Sequence, residues 1–249
     1  MKKLLIFLTL SLVFLVGCSG RVDRYKIVAF GDSNTQGANW TNHKYQETDK
    51  WVNLLAASIT GAKGNSTTAI MNAGISGETT EDARKRLKRD VLKQSPELVL
   101  IMFGTNDAAF LEKNKPRVSK ERFRENLIYF IKKIEKSGGK PVLMTCLPIV
   151  EGNGSDHFYY TRYKEAYYED VGGARKWHNS YNNSVRELAF KNEIVLVDHW
   201  SYMVYEAGGD TDKALLKSGI IDPSGNHLTP KGARLIYENI LKSDILAQN

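Results

Sequence analysis

The chain has 249 residues, 42% of them hydrophobic and 25% charged, with 35 Lys and Arg against 28 Asp and Glu and a formal charge of +7. A globular composition without repeats or low-complexity stretches excludes a disordered or repeat architecture and suits one α/β domain with a substantial core. The cysteines, Cys18 and Cys146, are too few for a disulfide framework.

The N-terminus reads MKKLLIFLTLSLVFLVGCSG, two lysines followed by an apolar run from Leu4 to Val16. As a helix rising ~1.5 Å per residue that run is too short to cross a hydrocarbon layer ~30 Å thick, so residues 1–17 are expected to be a signal peptide. The stretch LVGC, ending at Cys18, resembles the lipobox of bacterial lipoproteins. That resemblance implies lipidation of Cys18, residues 18–25 as a tether and residues 26–249 as the folded domain. It also implies an exported protein, anchored to a membrane and facing the periplasm or the cell exterior. Losing Lys2 and Lys3 with the leader lowers the positive charge by two and leaves a mildly basic chain.

Apolar runs rich in β-branched residues follow at 26–30, 68–72, 98–103, 141–146 and 194–198. They are continuous rather than alternating, which predicts strands buried on both faces. Between them, Thr79 caps a helix that carries Ala83, Leu87 and Val91 along one stripe. Phe123, Leu127, Phe130, Ile131 and Ile134 mark a second helix, ended by Gly138-Gly139, and Thr229-Pro230 opens a last one. Strands alternating with helices predict a three-layer α/β/α sandwich around a flavodoxin-like, doubly wound, five-stranded parallel sheet. The basic run RKRLKR (84–89) is read as a solvated helix face, with no nucleic-acid partner.

Polar clusters follow the strands: GDSNTQG (31–37), NAGISGETT (72–80), GTND (104–107) and, downstream of the fifth, DPSGNHLTPKG (222–232). Ligands of such sheets bind beyond the carboxyl ends of the strands, where these loops converge. In order and position the clusters resemble the four blocks of the SGNH or GDSL hydrolases, matched here by Ser33, Gly77, Asn106 and His227. The resemblance implies a serine ester hydrolase. Ser33 would attack an acyl carbon, His227 would take its proton, and the Ser33 and Gly77 N–H groups with the Asn106 amide would hold the oxyanion. Gly31 and Gly37 are expected to give the serine loop its conformational freedom.

One position departs from that pattern. An aspartate is expected three residues before the histidine, where this chain has Ser224. Asp222, Asp198 or a backbone carbonyl could instead orient His227, with Asp222 the leading candidate. Residues 151–181 contain Phe158, Tyr159, Tyr160, Tyr163, Tyr167, Tyr168, Trp177 and Tyr181, read equally as a substrate wall or as packing of an insertion. The expected substrate is a small or polymer-linked acyl ester, such as an acetylated carbohydrate, an envelope component or a lipid ester. No cofactor and no metal site is expected. The alternatives are a catalytically silent glycan-binding lipoprotein and a flavodoxin-like flavin-binding protein.

Overall fold

The computed structural model describes residues 25–38, 45–62, 68–152 and 158–246. The expected signal peptide, Cys18 and most of the tether lie outside the described residues, as do His43 and His157. In chain order, β1 (Lys26–Gly31) runs into the short α1 (Ser33–Gln36), followed by α2 (Trp51–Ala62), β2 (Ala69–Gly74), α3 (Thr80–Asp90) and β3 (Leu98–Met102). A hairpin of β4 (Phe110–Glu112) and β5 (Lys115–Pro116) precedes α4 (Lys120–Lys136), β6 (Lys140–Met144) and α5 (Ala174–Lys191). The chain closes with β7 (Val195–Val197), α6 (His199–Ala207), α7 (Asp212–Ser218) and α8 (Pro230–Lys242).

Five strands form one parallel sheet in the order β2-β1-β3-β6-β7, so the strand order reverses between β1 and β3. Successive side chains of the central strands feed opposite cores. Ile27, Ala29, Leu98, Leu100 and Met102 face one, and Val28, Phe30, Val99 and Ile101 face the other. Leu55, Ile236 and Ile240 from α2 and α8 complete the first core; Leu87, Phe123, Phe130 and Val185 from α3, α4 and α5 complete the second. Phe30 lies 5.1 Å from Phe103 and 5.4 Å from Phe130, both edge-on. Full burial of each such ring stabilises the fold by about 1.5–3 kcal/mol.

The predicted helix starts carry their caps. Thr79 accepts from Asp82 N in a reciprocal capping box, and Thr229 accepts from Gly232 N with Pro230 at the first helical position. The small hairpin is a feature the strand pattern did not announce. The aromatic segment packs mostly inward: Tyr159, Tyr160 and Tyr168 join Phe110 and Ile149 in a satellite core. Its centre is polar, with the Tyr159 hydroxyl 2.8 Å from His178 Nε2 and 2.9 Å from the Tyr168 hydroxyl.

The basic run on α3 corrects its reading as a solvated face. Lys85, Lys88 and Arg89 are exposed, but Arg86 is only 5% exposed. Its guanidinium donates to the carbonyls of Gly31 (3.1 Å) and Ala73 (2.8 Å) and pairs with Glu78 and Asp90. An interior arginine thus ties the ends of β1 and β2 together, beside the loops that carry Ser33 and Gly77.

Candidate active site

Ser33 stands where β1 ends. Asp32 caps the short helix behind it, its Oδ1 accepting from Asn34 N at 2.9 Å. Gly31 serves this turn through space rather than through unusual backbone: a Cβ there would collide with the Thr35 side chain and lie 2.7 Å from the Met102 carbonyl. Gly37 does supply the expected freedom, ending α1 in the left-handed region at φ 77°.

His227 arrives from the far end of the chain. Asp222 N donates to the His227 carbonyl at 2.9 Å, and Ile221 bridges Leu228, so the loop before α8 is a closed unit. Asn34 Nδ2 donates to the Asn226 carbonyl at 3.2 Å and fastens this loop to the serine turn. His227 Nε2 lies 3.0 Å from Ser33 Oγ. On the other side of the ring, Nδ1 lies 2.7 Å from Ser224 Oγ, which itself donates to Asp222 Oδ1. All four residues are buried.

Asn106 follows β3, and its Nδ2 donates to the Glu78 carbonyl at 2.9 Å. Beside it, Asp107 Oδ1 accepts from Thr80 N at 2.9 Å and from the Thr80 hydroxyl, docking the start of α3 on the β3 loop. Gly77 takes φ +78° with open space where a Cβ would point. Among the described residues no acceptor lies against the Ser33 or Gly77 N–H groups. Ser33, Gly77, Asn106 and His227 therefore share one cavity of about 440 Å³, together with Ser76, Arg117, Arg162, Tyr163 and Asn226.

Electrostatics follow from burial. Desolvation pulls the His227 imidazole down to about 4, the Asp222 carboxylate opposing the shift and the Arg162 guanidinium adding to it. Burial also pushes Asp32 up to about 7 and Asp107 up to about 6. Each of these two carboxyls keeps one oxygen, Oδ2, without a hydrogen-bond partner. Asp198 is engaged elsewhere: it pairs with Arg186 at 2.8 Å and accepts from Thr145 and Ser201. Burial opposes ionisation there, yet these bonds hold its carboxyl at about 2. His178 and His199 are buried in other surroundings, against Tyr159 and Asn239.

Sequence reasoning missed Ser224, Arg162 and Asn34. Arg162 donates to the Ser224 carbonyl (2.6 Å) and to Asn226 Oδ1, bracing the histidine loop from the aromatic segment. That segment is thus both packing and wall, because Arg162 and Tyr163 line the cavity while Tyr159, Tyr160 and Tyr168 are interior.

A doubly wound parallel sheet that gathers a hydroxyl, an imidazole and amide donors at its switch point defines an α/β enzyme with a hydrolytic site. Residues 27–240 match the GDSL-like Lipase/Acylhydrolase family, and the chain belongs to it: it is a GDSL-type ester hydrolase. It is 55% identical over 246 residues to the uncharacterized lipoprotein YqeF of Bacillus subtilis (strain 168), covering 98% of this chain and 99% of that one. It is 26% identical over 223 residues to the isoamyl acetate-hydrolyzing esterase 1 homolog of Bos taurus, covering 86% and 79%. Among solved structures, the lipase/acylhydrolase from Enterococcus faecalis superposes with a TM-score of 0.65 at 25% identity, covering 88% of this chain and 95% of that one.

Proposed function

We propose that the chain is an exported, lipid-anchored serine esterase that removes short acyl groups from a carbohydrate or other envelope component through an acyl-enzyme. The observation that carries the reading is the 3.0 Å approach of His227 Nε2 to Ser33 Oγ inside a cavity that also holds Asn106 and Gly77. Ser33 Oγ attacks the acyl carbon as its proton passes to Nε2. The developing oxyanion lies against the Ser33 and Gly77 N–H groups and the Asn106 amide. The imidazolium then gives its proton to the leaving alcohol, and a water, activated by the same ring, releases the acid and restores Ser33.

Two features support the substrate side. The cavity wall mixes the polar side chains of Ser76, Asn106, Arg117, Arg162 and Asn226 with Ala38 and Tyr163, and those polar groups suit an ester of a hydrated alcohol. The name of the bovine relative, an acetate-ester hydrolase homolog, agrees with a small acyl group. The second feature is direction. β1 begins at Lys26 and runs ~20 Å before Ser33, so the cavity opens at the sheet edge opposite the start of β1. A protein anchored through Cys18, as the naming of its Bacillus relative as a lipoprotein supports, would carry its site at the end of β1 that is farther along the chain from the anchor. That favours an envelope polymer or soluble ester over a lipid of the anchoring membrane.

Covalent labelling tests the reading. A fluorophosphonate should attach to Ser33 of the wild type and not to the Ser33→Ala variant, and short acyl nitrophenyl esters and acetylated saccharides should turn over faster than long-chain esters. Unlabelled Ser33 with no turnover of any of these would favour a silent glycan-binding protein. Labelled palmitate that fails to depend on Cys18 would remove the anchor.

A further inference from the structure

We propose that Ser224 is a positioning residue whose hydroxyl relays the Asp222 carboxylate to the His227 imidazole. The inference rests on the serine-esterase reading above and adds a member to its machinery.

Proton counting fixes the direction of each bond. A hydroxyl has one proton to give, and an ionised carboxylate can only accept. Of the two oxygen acceptors within its reach, Ser224 gives its proton to the nearer, Asp222 Oδ1, rather than to Asn226 Oδ1 at 3.3 Å; the Asp222 oxygen also accepts Ser224 N at 2.8 Å. The Ser224 oxygen then has only lone pairs to offer His227 Nδ1, 2.7 Å away, so the ring proton resides on Nδ1. Nε2 is left with its lone pair toward Ser33 Oγ. The relay thereby selects the one neutral tautomer that can receive the nucleophile's proton.

During attack the Ser33 O–H bond breaks, its proton joins Nε2, and the Ser33 Oγ–acyl carbon bond forms. No other proton moves: Nδ1 keeps its hydrogen, Ser224 keeps its own, and none passes to Asp222. The new imidazolium charge is met through the polarised hydroxyl rather than by neutralisation of the acid. Asp222, Ser224 and His227 are 2%, 7% and 4% exposed, so competing water is excluded and a two-bond chain retains its strength. The turn that builds the chain is itself pinned. Gly225 N donates to the Asp222 carbonyl at 2.9 Å, Gly225 sits at φ +81° packed under Val150 and Tyr159, and Arg162 holds the Ser224 carbonyl.

A purely structural role would be that of a turn in which Asp222 caps Ser224 N. Kinetics on short acyl nitrophenyl esters separate the two. Ser224→Ala and Asp222→Asn should each lower kcat about ten- to hundredfold with KM little changed, as loss of an outer partner does. Asp222→Asn/Ser224→Ala should be no worse than either single change, because both break one chain. Asp222→Asn/Ser224→Asp should recover to within a few fold of wild type, the new carboxylate receiving Nδ1–H directly while the amide oxygen introduced at position 222 still caps the turn. A downfield Nδ1 proton resonance should be present in wild type and lost in Ser224→Ala. Full activity in a folded Ser224→Ala, additive losses in the double variant, or failure of the Ser224→Asp rescue would each overturn the relay. If Ser224→Ala does not fold, the rescue variant and Ser224→Thr, which keeps the hydroxyl, decide instead. Persistent turnover by Ser33→Ala would defeat the esterase reading itself, a result separate from all of these.

Discussion

Asn34 Nδ2 donates to the carbonyl of Asn226 at 3.2 Å, joining the residue after the nucleophile to the residue before the histidine across 192 positions of chain. Trp51 Nε1 holds the Asn34 carbonyl at 2.9 Å, so the bridge is anchored from α2 as well. Two loops that never meet in sequence are thereby set at one separation.

Loss of that bridge should loosen the Ser33–His227 contact without removing a reacting group. Asn34→Ala is expected to lower kcat about tenfold and stability by about 1–2 kcal/mol, since a buried carbonyl loses its donor. Steady-state kinetics and denaturant unfolding measure the two effects. A variant as fast as wild type would mean that the loops are registered by other contacts.

Asn106 supplies one side-chain donor, and its amide already spends a hydrogen on the Glu78 carbonyl. Asn106→Ala should reduce kcat by about 10²–10³ with little change in KM, because the contact strengthens only as charge develops on the acyl oxygen. Equal effects on kcat and KM would assign Asn106 to ground-state binding instead.

The pH profile should reflect burial of the base. With His227 drawn down to about 4, its neutral, proton-accepting form persists far into acid, so kcat/KM should stay level from neutrality to about pH 5 and fall near pH 4. Stability moves differently. His178 and His199 are lowered to about 3 by burial, below an unfolded value near 6.5, so their stabilisation is present above 6.5 and is lost as pH falls toward 3. Asp32 and Asp107 act in the opposite sense: raised above 3.8, they contribute below that value and lose the contribution as pH rises to about 6–7. Initial rates after a brief jump in pH separate the catalytic limb from unfolding. An acid limb at the ordinary histidine value would show that the imidazole is better solvated than its burial implies.

Much of this arrangement was legible because each part had a local signature. The uninterrupted apolar runs of β1 and β3 could only be strands covered on both faces, and the four polar blocks each followed an element that fixes where its loop points. What stayed hidden depended on side-chain reach. Asp222 was readable as a candidate to orient the ring, but Ser224 reads as a substitution that removes an acid, because sequence spacing does not reveal that the turn sets its hydroxyl between Asp222 and His227. Arg86 reads as one of several surface cations, since a charge run does not tell which member finds two carbonyls and two carboxylates inside the fold. The division of residues 151–181 between core and wall was equally unreadable, because aromatic composition serves both.

Removal of the interior arginine should damage the fold before the chemistry. Arg86→Ala leaves the Gly31 and Ala73 carbonyls and the Glu78 carboxylate short of their shared partner, an expected cost of about 3–5 kcal/mol. Arg86→Lys should recover part of this, since a single ammonium cannot reach all four acceptors. Thermal unfolding of both variants measures it, and a loss below about 1 kcal/mol for Arg86→Ala would mean that water replaces the guanidinium.

The last expectation concerns the charge of the substrate. Arg117 and Arg162 both line the cavity of Ser33, and among the described residues no carboxylate lines it. Arg117 donates to the Gly77 carbonyl at 3.0 Å, so its positive charge stands beside the oxyanion donors. An ester carrying an anionic group near the scissile bond should therefore be captured faster than its neutral counterpart, by roughly tenfold at low salt, because a cavity of one sign raises the local concentration of opposite charge. The preference should shrink as ionic strength rises and the screening length falls from ~30 Å at 0.01 M to ~8 Å at 0.15 M. Matched acetyl esters with and without a carboxylate on the alcohol, compared by kcat/KM across that salt range, make the measurement. An equal rate for the two at low salt would show that the arginines serve only the loops they brace, and a preference that survives high salt would point to a direct contact within the cavity.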